Sequence, residues 1–310
     1  MVNIIFWNCG IAPLPSIIPT TKQQDELLDF IDFFLNDMLA DIIILTEAND
    51  YLAQGLRKKR KSLKLEKLTG KAASNSNFDI LVITSEKVNI TSKKYIKANS
   101  KYEEEEKIES ENDHNPSRGR TMKIGANITF KHKSIPDDFN IIASHWSSRR
   151  IGFNDQNRRE SADKLKVVVR NMIRTNKQVI LIGDYNDPPN ADSITHHLGA
   201  TNNRHYASID KMRIYNPSNS FLAPHIPYKN GESKHFHGTW LSKDSSTRSN
   251  YNLSCQVFDQ VMYTSSFISS GPWHFNEEDT KTVYNAKIIQ SLYSGGIDHL
   301  PIMTKIEHHP

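Results

Sequence analysis

Polar residues of the types used in hydrolytic catalysis stand at the ends of several apolar, strand-like segments. NIIFWN, DIIILTE, FNIIASH and VILIGDYN each finish in such a residue, VFDQVMYT contains one, and GGIDHLPIM places two before a final apolar run. The positions are Asn8, Glu47, His145, Asp184, Asn186, Asp259, Asp298 and His299. One polar residue in such a place is commonly a helix cap or a turn residue. Their repetition predicts one shared site, because ligands of α/β sheets gather beyond strand ends.

This set of side chains suits a narrow range of chemistry. Glu47, Asp184 and Asp298 are hard oxygen donors of the kind that Mg²⁺ and Mn²⁺ prefer. The two histidines can donate to a phosphate oxygen or take a proton from water, and the two asparagines can hold a phosphate without adding charge. No Cys₂His₂ cluster or HExxH segment indicates zinc. Together the residues predict metal-assisted hydrolysis of a phosphate ester.

The elements that must position these residues alternate between strand-like and helix-like periodicity. Short apolar runs predict strands at residues 2–7, 41–46, 78–84, 122–130, 139–144, 179–183, 257–264 and 300–306. Apolar residues at helical spacing predict helices at 24–38 and 160–174, and a further helix begins near Asp50. Strands interleaved with helices, several of them apolar on both faces, indicate a layered α/β fold.

Length and composition exclude several classes of protein. The chain has 310 residues and a mean hydropathy of −0.57, and no apolar run reaches the about 18 residues that a membrane-spanning helix needs. MVNIIFWNCG lacks the features of a secretory signal, and Cys9 and Cys255 form no disulfide framework, so buried thiols and a cytoplasmic location are expected. Since no linker divides the sequence, we predict one domain over residues 1–310, with insertions near 99–118 and 216–252.

The net charge of +4 hides an uneven distribution. Segment 101–113 has seven acidic residues and two lysines, a net charge of −5, so subtracting it leaves +9 on the rest of the chain. Segment 57–67 holds seven basic residues and one glutamate. It is either a track for a nucleic-acid backbone or the solvated end of the helix that begins near Asp50.

The ordered series WN, LTE, SHW, GDYN, FDQV and IDHLP resembles the endonuclease/exonuclease/phosphatase superfamily, typified by DNase I and the abasic-site endonucleases. The resemblance runs from Asn8 to Pro301, and GDYN and DHLP are its most specific motifs. It departs from the family pattern at Ile297, where many members have serine. The resemblance implies a DNase I-like, four-layered α/β sandwich, in which two packed mixed sheets are flanked by helices.

The resemblance also implies a metal centre. Glu47 would be the principal ligand of Mg²⁺, for which Mn²⁺ can substitute, with Asn8 and Asp298 nearby. Asp184 would orient or deprotonate the attacking water.

The other motif residues are implied to act on the phosphate. Asn186 would contact it, and His145 would donate to the scissile phosphate. Asp259 would orient His299, which would stabilise or protonate the phosphoryl group or act as the base.

Three further residues are predicted to contact the substrate. Arg120, preferred over Arg118, resembles the family arginine that binds phosphate, and Arg149 follows His145 in HWSSRRIG. The alternatives are a surface arginine and a solvated loop. Trp240 in HGTW either stacks on a base or headgroup, or packs beside the site.

The predicted function is a Mg²⁺-dependent phosphodiesterase, favoured as a nuclease that hydrolyses DNA, with RNA as a further substrate. The alternative is the same chemistry on phosphoinositides, sphingomyelin or nucleotides, since the fold does not decide the substrate. A non-catalytic binding module is disfavoured, because all six motifs keep their reactive side chains. No segment indicates an obligate protein partner.

Overall fold

The computed structural model describes residues 1–14, 16–71, 77–99, 121–148, 154–222, 238–241, 255–294 and 296–309. Its strands are β1 (Val2–Asn8), β2 (Ile42–Thr46), β3 (Lys64–Lys71), β4 (Asn77–Thr84), β5 (Val88–Asn99), β6 (Thr121–His132), β7 (Asp138–His145), β8 (Val179–Asp184), β9 (Ala200–Thr201), β10 (Ile214–Tyr215), β11 (Trp240–Leu241), β12 (Cys255–Gln256), β13 (Asp259–Thr264), β14 (Trp273–Thr282) and β15 (Ile302–His308). Its α-helices are α1 (Thr21–Asn36), α2 (Asp50–Lys59), α3 (Asn154–Arg174), α4 (Arg204–Ile209) and α5 (Ala286–Ser294). None of the helices in these described ranges is long and apolar enough to cross a membrane.

The strands form two mixed sheets. The first sheet has the order β14-β15-β1-β2-β4-β3, and the second has the order β5-β6-β7-β8-β13-β10-β9. β1 pairs with β2 in parallel and with β15 in antiparallel orientation. β7 pairs with β8 in parallel, and β8 pairs with β13 in antiparallel orientation. Each sheet therefore has a central parallel pair beside an antiparallel neighbour.

Alternating side chains of the strands pack on opposite faces, which creates four layers. Ile4, Ile44, Ile141 and Ile182 belong to the core between the two sheets. The opposite face of the first sheet packs on α1, α2 and α5 through a second apolar cluster. The opposite face of the second sheet packs on α3 through a third cluster. This arrangement confirms the predicted sandwich of two mixed sheets flanked by helices.

Most predicted elements are present, but the boundaries of two helices are wrong. α1 begins at Thr21 rather than at residue 24, because Thr20 and Gln23 form a capping box. The Thr20 Oγ1 accepts the Gln23 amide at 3.2 Å, and Gln23 Oε1 accepts the Thr20 amide at 2.9 Å. α3 begins at Asn154 rather than at residue 160. The periodicity does not predict its first turns, because they are polar and show no apolar stripe.

The long strands that local periodicity does not predict lie at the sheet edges. β3 and β14 are the edges of the first sheet, and β5 is an edge of the second sheet. Edge strands commonly carry charged side chains, so they lack the continuous apolar runs of central strands. VNITSKKYIKAN of β5 shows this composition. The predicted strand at 257–264 also begins later, at Asp259.

The basic segment 57–67 lies where α2 ends and β3 begins. Lys64 pairs with Thr84 of β4, and Thr84 pairs with Ile42 at the start of β2. The predicted site lies at the opposite end of β2, after its last residue. Four of its basic side chains form ion pairs with acidic residues: Lys59 with Asp25, Arg60 with Asp32, Lys64 with Glu86, and Lys67 with Asp50. The structure therefore favours the solvated helix end over a nucleic-acid track.

Strand direction brings the motif residues to one end of the sandwich. Asn8 and His145 end the parallel-paired strands β1 and β7, and Glu47 follows β2. Asp259 begins β13, and Asp298 precedes β15, since both strands run in the opposite direction to their neighbours. The start of an antiparallel strand lies beside the end of its neighbour, so all five residues lie at the same end of the sandwich.

Gly183, one residue before Asp184, lies too close to the neighbouring strand to carry a side chain. A methyl group at Gly183 would lie 2.2 Å from the backbone oxygen of Ser144. We expect Gly183→Ala to destabilise the protein by about 1–3 kcal/mol, because β7 and β8 must separate. Denaturant unfolding measures this change. The control is Gly55→Ala in α2, where the three atoms nearest to the methyl group all belong to the flexible Gln24 side chain, so the change should be neutral or stabilising. Equal stability of the two variants would contradict the prediction.

Candidate active site

Asp184 stands at the centre of the site, at the end of β8. It is in register with His145 on one side and with Asp259 on the other. Its Oδ2 atom accepts the Asn8 Nδ2 at 3.0 Å, although β1 belongs to the other sheet. The buried Asp184 carboxylate therefore joins the two sheets at this end of the sandwich.

Glu47 and His145 lie beside this contact. Asn8 Nδ2 also donates to Glu47 Oε1 at 3.3 Å. The His145 Nε2 lies 3.6 Å from Glu47 Oε1 and 3.8 Å from Asp184 Oδ2. Glu47 has a left-handed backbone, with φ of 53°, which turns the chain sharply after β2. The turn is followed by Asn49, whose side chain caps α2 by accepting the Leu52 amide.

Asp259 and His299 form a buried carboxylate–imidazole pair. His299 Nδ1 lies 2.8 Å from Asp259 Oδ2, and His299 Nε2 lies 3.8 Å from Asp184 Oδ2. Burial by itself lowers the pKa of His299, but the negative charges of Asp259 and Asp184 outweigh it and raise that pKa above the ordinary value. Because Nδ1 bonds Asp259, Nε2 is the His299 nitrogen that faces Asp184 and the rest of the site.

Asp298 approaches the same site from the turn before β15. A methyl group at Gly10 would lie 3.2 Å from Asp298 Oδ1 and 4.0 Å from Glu47 Oε2, so both carboxylates face this glycine. Gly10 has φ of 62° and its amide donates to Asn8 Oδ1 at 3.2 Å. Gly10 lies directly after the first motif, in WNCG, but glycine has no side chain that would mark it as a site residue in the sequence.

Asn186 connects two of the loops that carry the site. Its amide donates to Asp184 Oδ1 at 2.9 Å, and its Nδ2 donates to the Trp146 backbone oxygen at 3.0 Å. The Trp146 amide in turn donates to the Asp184 backbone oxygen at 2.9 Å. The loops after β7 and β8 are thus held together immediately beyond His145 and Asp184, and the predicted contact of Asn186 with the phosphate stays a prediction.

Thr239 and Trp240 connect the Asp259 segment to the His299 segment. The Thr239 Oγ1 accepts the amides of Phe258 and Asp259, and its backbone oxygen accepts the Leu300 amide at 2.7 Å. Trp240 forms a backbone bridge with His299, and its partly exposed ring lies 5.0 Å from that of Phe258. The structure places Trp240 beside the site, and its predicted contact with substrate stays a prediction. Thr239 was missed, although the HGTW motif contains it.

The acidic side chains give the site the donors that a hard cation requires. Four carboxylates, those of Glu47, Asp184, Asp259 and Asp298, adjoin only two described imidazoles. One ligand atom from each of Asp184, Asp259 and His299 lies within 4.8 Å of the others, so these three residues could hold a metal ion. His299 Nδ1 already bonds Asp259, which leaves that nitrogen unavailable to a metal ion. The oxygen atoms of Asn8, Glu47 and Asp298 form a second candidate set of metal ligands.

Two predicted site residues and most of the two predicted insertions lie outside the part of the chain that the structure describes. Arg120 and Arg149 lie outside the described residues. Nearly all of the insertion near 99–118 does as well, together with residues 223–237 and 242–252 of the second insertion. Their predicted roles stay predictions.

Comparison with known proteins assigns the family. A sequence model of the Endonuclease/Exonuclease/phosphatase family matches residues 108–308, which is more than half of the chain. The chain belongs to this family. The match contains the SHW, GDYN, FDQV and IDHLP motifs, so the predicted membership is confirmed. No curated protein sequence matches the chain.

Solved structures of the family share the fold at low identity. The endonuclease/exonuclease/phosphatase from Bacteroides vulgatus is 12% identical, with a TM-score of 0.58 over 99% of each chain. The catalytic domain of human Nocturnin with bound sulfate is 13% identical, with a TM-score of 0.58 over 99% of this chain and 94% of that chain. D. rerio TDP2 complexed with a single-strand DNA product is 16% identical, with a TM-score of 0.58 over 99% and 98%. These likenesses confirm the DNase I-like fold.

The departure from the family pattern at Ile297 has a structural explanation. Ile297 is buried and belongs to the apolar cluster between the first sheet and its helices, which also contains Ile288, Leu292 and Leu300. Its side chain therefore anchors the turn that carries Asp298 and His299 by apolar packing.

Cys9, next to Asn8, is predicted to be an inert thiol. Its side chain is fully buried, and its Sγ donates to the Thr46 backbone oxygen at 3.2 Å. Burial raises the pKa of Cys9 to about 12, and the Glu47 and Asp298 carboxylates add to this shift. In a Cys255→Ser background, a colorimetric thiol reagent at neutral pH should label the native protein far more slowly than the denatured protein. Equal rates would contradict the burial of this thiol.

Proposed function

We propose that this protein is a Mg²⁺-dependent phosphodiesterase, and more specifically a nuclease that hydrolyses DNA. The observation that carries the proposal is the convergence of Asn8, Glu47, His145, Asp184, Asp259 and His299 within hydrogen-bond or ion-pair distances of one another. Family membership supplies the reaction class, which is hydrolysis of phosphoric esters.

We assign the metal to Glu47, Asn8 and Asp298. Their oxygen atoms are the ligands that Mg²⁺ and Mn²⁺ prefer, and the four carboxylates among the described residues of the site would attract a divalent cation. When bound, a divalent cation stabilises negative charge on the phosphoryl oxygens.

The protein side chains orient the water, donate hydrogen bonds to the phosphate and hold the loops of the site in place. Asp184 accepts a hydrogen bond from the attacking water, directs its oxygen toward phosphorus and takes its proton as the new O–P bond forms. The imidazolium of His299, fixed by Asp259, donates from Nε2 to the phosphoryl group, where negative charge accumulates as the ester bond breaks. His145 donates to the scissile phosphate, and Asn186 keeps the loops of His145 and Asp184 in place.

DNA is the favoured substrate class within this chemistry. D. rerio TDP2, which shares the fold, is complexed with a single-strand DNA product. The predicted phosphate contacts of Arg120 and Arg149 would extend the site along a nucleic-acid backbone. The paired basic segment 57–67 gives no support, because it lies away from the site.

A substrate panel tests the proposal. Purified protein is incubated with supercoiled plasmid, single-stranded DNA, RNA, phosphoinositides, sphingomyelin and nucleotides, with Mg²⁺ and with EDTA. Plasmid or single-stranded DNA should be cleaved with Mg²⁺, cleavage should stop with EDTA, and Mn²⁺ should restore it. Cleavage that survives EDTA would overturn the metal mechanism. Hydrolysis of a lipid or nucleotide with intact DNA would overturn the nuclease assignment.

A further inference from the structure

Arg158, in the first turns of α3, has a fully buried guanidinium. Its Nε lies 2.9 Å from Asp187 Oδ1, and a second nitrogen contacts Asp155. Asp187 is also buried. Removing both ions of a pair from water costs about as much free energy as their attraction returns, so a buried pair contributes little to stability by itself. Its location indicates a different purpose.

The guanidinium joins two loops of the active site. Arg158 Nη1 donates to the Ser147 backbone oxygen at 3.1 Å, and Ser147 is two residues beyond His145. Asp187 is three residues beyond Asp184 and directly follows Asn186. One rigid, planar side chain therefore holds the segment of His145 at a fixed distance from the segment of Asp184.

Asp187 extends the connection to a third segment. Its backbone oxygen accepts the Gln260 Nε2 at 2.6 Å, and Gln260 directly follows Asp259. Its Oδ2 accepts the Ser193 hydroxyl at 2.5 Å. Gln260 is fully buried, and its Oε1 accepts the Asn216 Nδ2 at 2.8 Å. The pair thus lies where the segments carrying three proposed catalytic residues meet.

We propose that Arg158 and Asp187 are a positioning pair that sets the spacing of His145, Asp184 and Asp259 for phosphodiester hydrolysis. The inference rests on the proposed function, because it assigns the pair a role in that reaction. Arg158 touches no reacting atom, since its guanidinium is enclosed by protein. Its effect reaches the chemistry through the Ser147 and Asp187 contacts. Misplacement of catalytic groups by about 1 Å costs about 100-fold in rate.

The test compares Arg158→Met and Arg158→Lys with wild type, using the best substrate of the panel and bis(p-nitrophenyl) phosphate. We expect Arg158→Met to lower kcat about 100-fold and to change KM less than about 3-fold. Arg158→Lys keeps the charge but lacks the planar fork, so its kcat should fall between wild type and Arg158→Met. Asp187→Asn should match Arg158→Met, because the pair acts as a unit.

The control is Asp41→Asn, which removes a comparably buried carboxylate at the opposite end of the first sheet. Asp41 accepts the Asn3 amide at 3.1 Å and the Ser85 hydroxyl at 2.9 Å. Its variant should lose thermal stability and keep kcat within about 3-fold, since it is remote from the site. Folded Arg158 variants with unchanged kcat, or an equal loss of kcat in Asp41→Asn, would overturn the inference.

Amide hydrogen exchange keeps the inference separate from the proposed function. Residues 145–148 and 184–187 should exchange faster in Arg158→Lys than in wild type, with little change around Asp41. If wild type hydrolyses nothing, the proposed function fails, while exchange still reports whether Arg158 holds the two loops. If Arg158→Met does not fold, Arg158→Lys supplies both measurements, the change in kcat and the change in amide hydrogen exchange. Unchanged exchange in the two loops would overturn the inference.

Discussion

Replacing His299 with alanine is expected to lower kcat about 1000-fold while the protein remains folded. The imidazole lies in a buried pair with Asp259, 2.8 Å away, and its other nitrogen faces Asp184. A positioned acid–base group contributes about 100- to 10,000-fold to a rate. Steady-state kinetics on the best substrate, with circular dichroism to check folding, measures the loss.

The matched control for this variant is His308→Ala. His308 also contacts an aspartate at 2.8 Å, Asp137, but it lies at the end of β15, away from the start where His299 stands. Its loss should leave kcat within about 3-fold. If His299→Ala retained activity near the wild-type level, His299 would not be part of the catalytic site.

Asp184→Ala is expected to have the largest effect, a loss of about 10,000-fold or more in kcat. Its carboxylate accepts the Asn8 amide, lies beside both imidazoles and bonds the Asn186 backbone. Removing it deletes the group that orients water and releases the contact between the two sheets. Asp184→Asn keeps the volume but removes the charge, and its amide nitrogen cannot accept a hydrogen bond as the carboxylate oxygen does, so it should also be inactive.

The comparison for Asp184 is Asp138→Ala, at the other end of β7. Asp138 is partly exposed and pairs with Lys177 at 3.5 Å, so its loss should not change kcat. The combined variant of Asp184→Ala and His299→Ala should be little slower than Asp184→Ala alone, because groups that act as a unit are not additive. Fully multiplicative losses would show that the two residues act independently.

Local sequence was sufficient for the central elements and the motif residues. Buried strands are visible in the sequence as apolar runs such as DIIILT and VILIG, and the motif residues follow or precede such runs. The edge strands β3, β5 and β14 were missed because their exposed faces carry charged residues. The start of α1 was missed because a capping box, rather than an apolar residue, begins that helix. The start of α3 was missed because its first turns are polar and show no apolar stripe. The single-domain organisation and cytoplasmic location stay predictions.

The sequence by itself determined which side chains are available for chemistry and at which strand ends they stand. Only the tertiary structure decided their partners: Asp259 bonds His299, Asn8 reaches Asp184 across the two sheets, and the Trp7 indole holds the His299 backbone oxygen at 3.0 Å. It also gave Arg158 and Asp187 their place between the loops and set the basic segment 57–67 apart from the site. The physical reason is that these contacts join residues up to 292 positions apart, and sheet register and sheet packing, which local periodicity does not encode, bring them together.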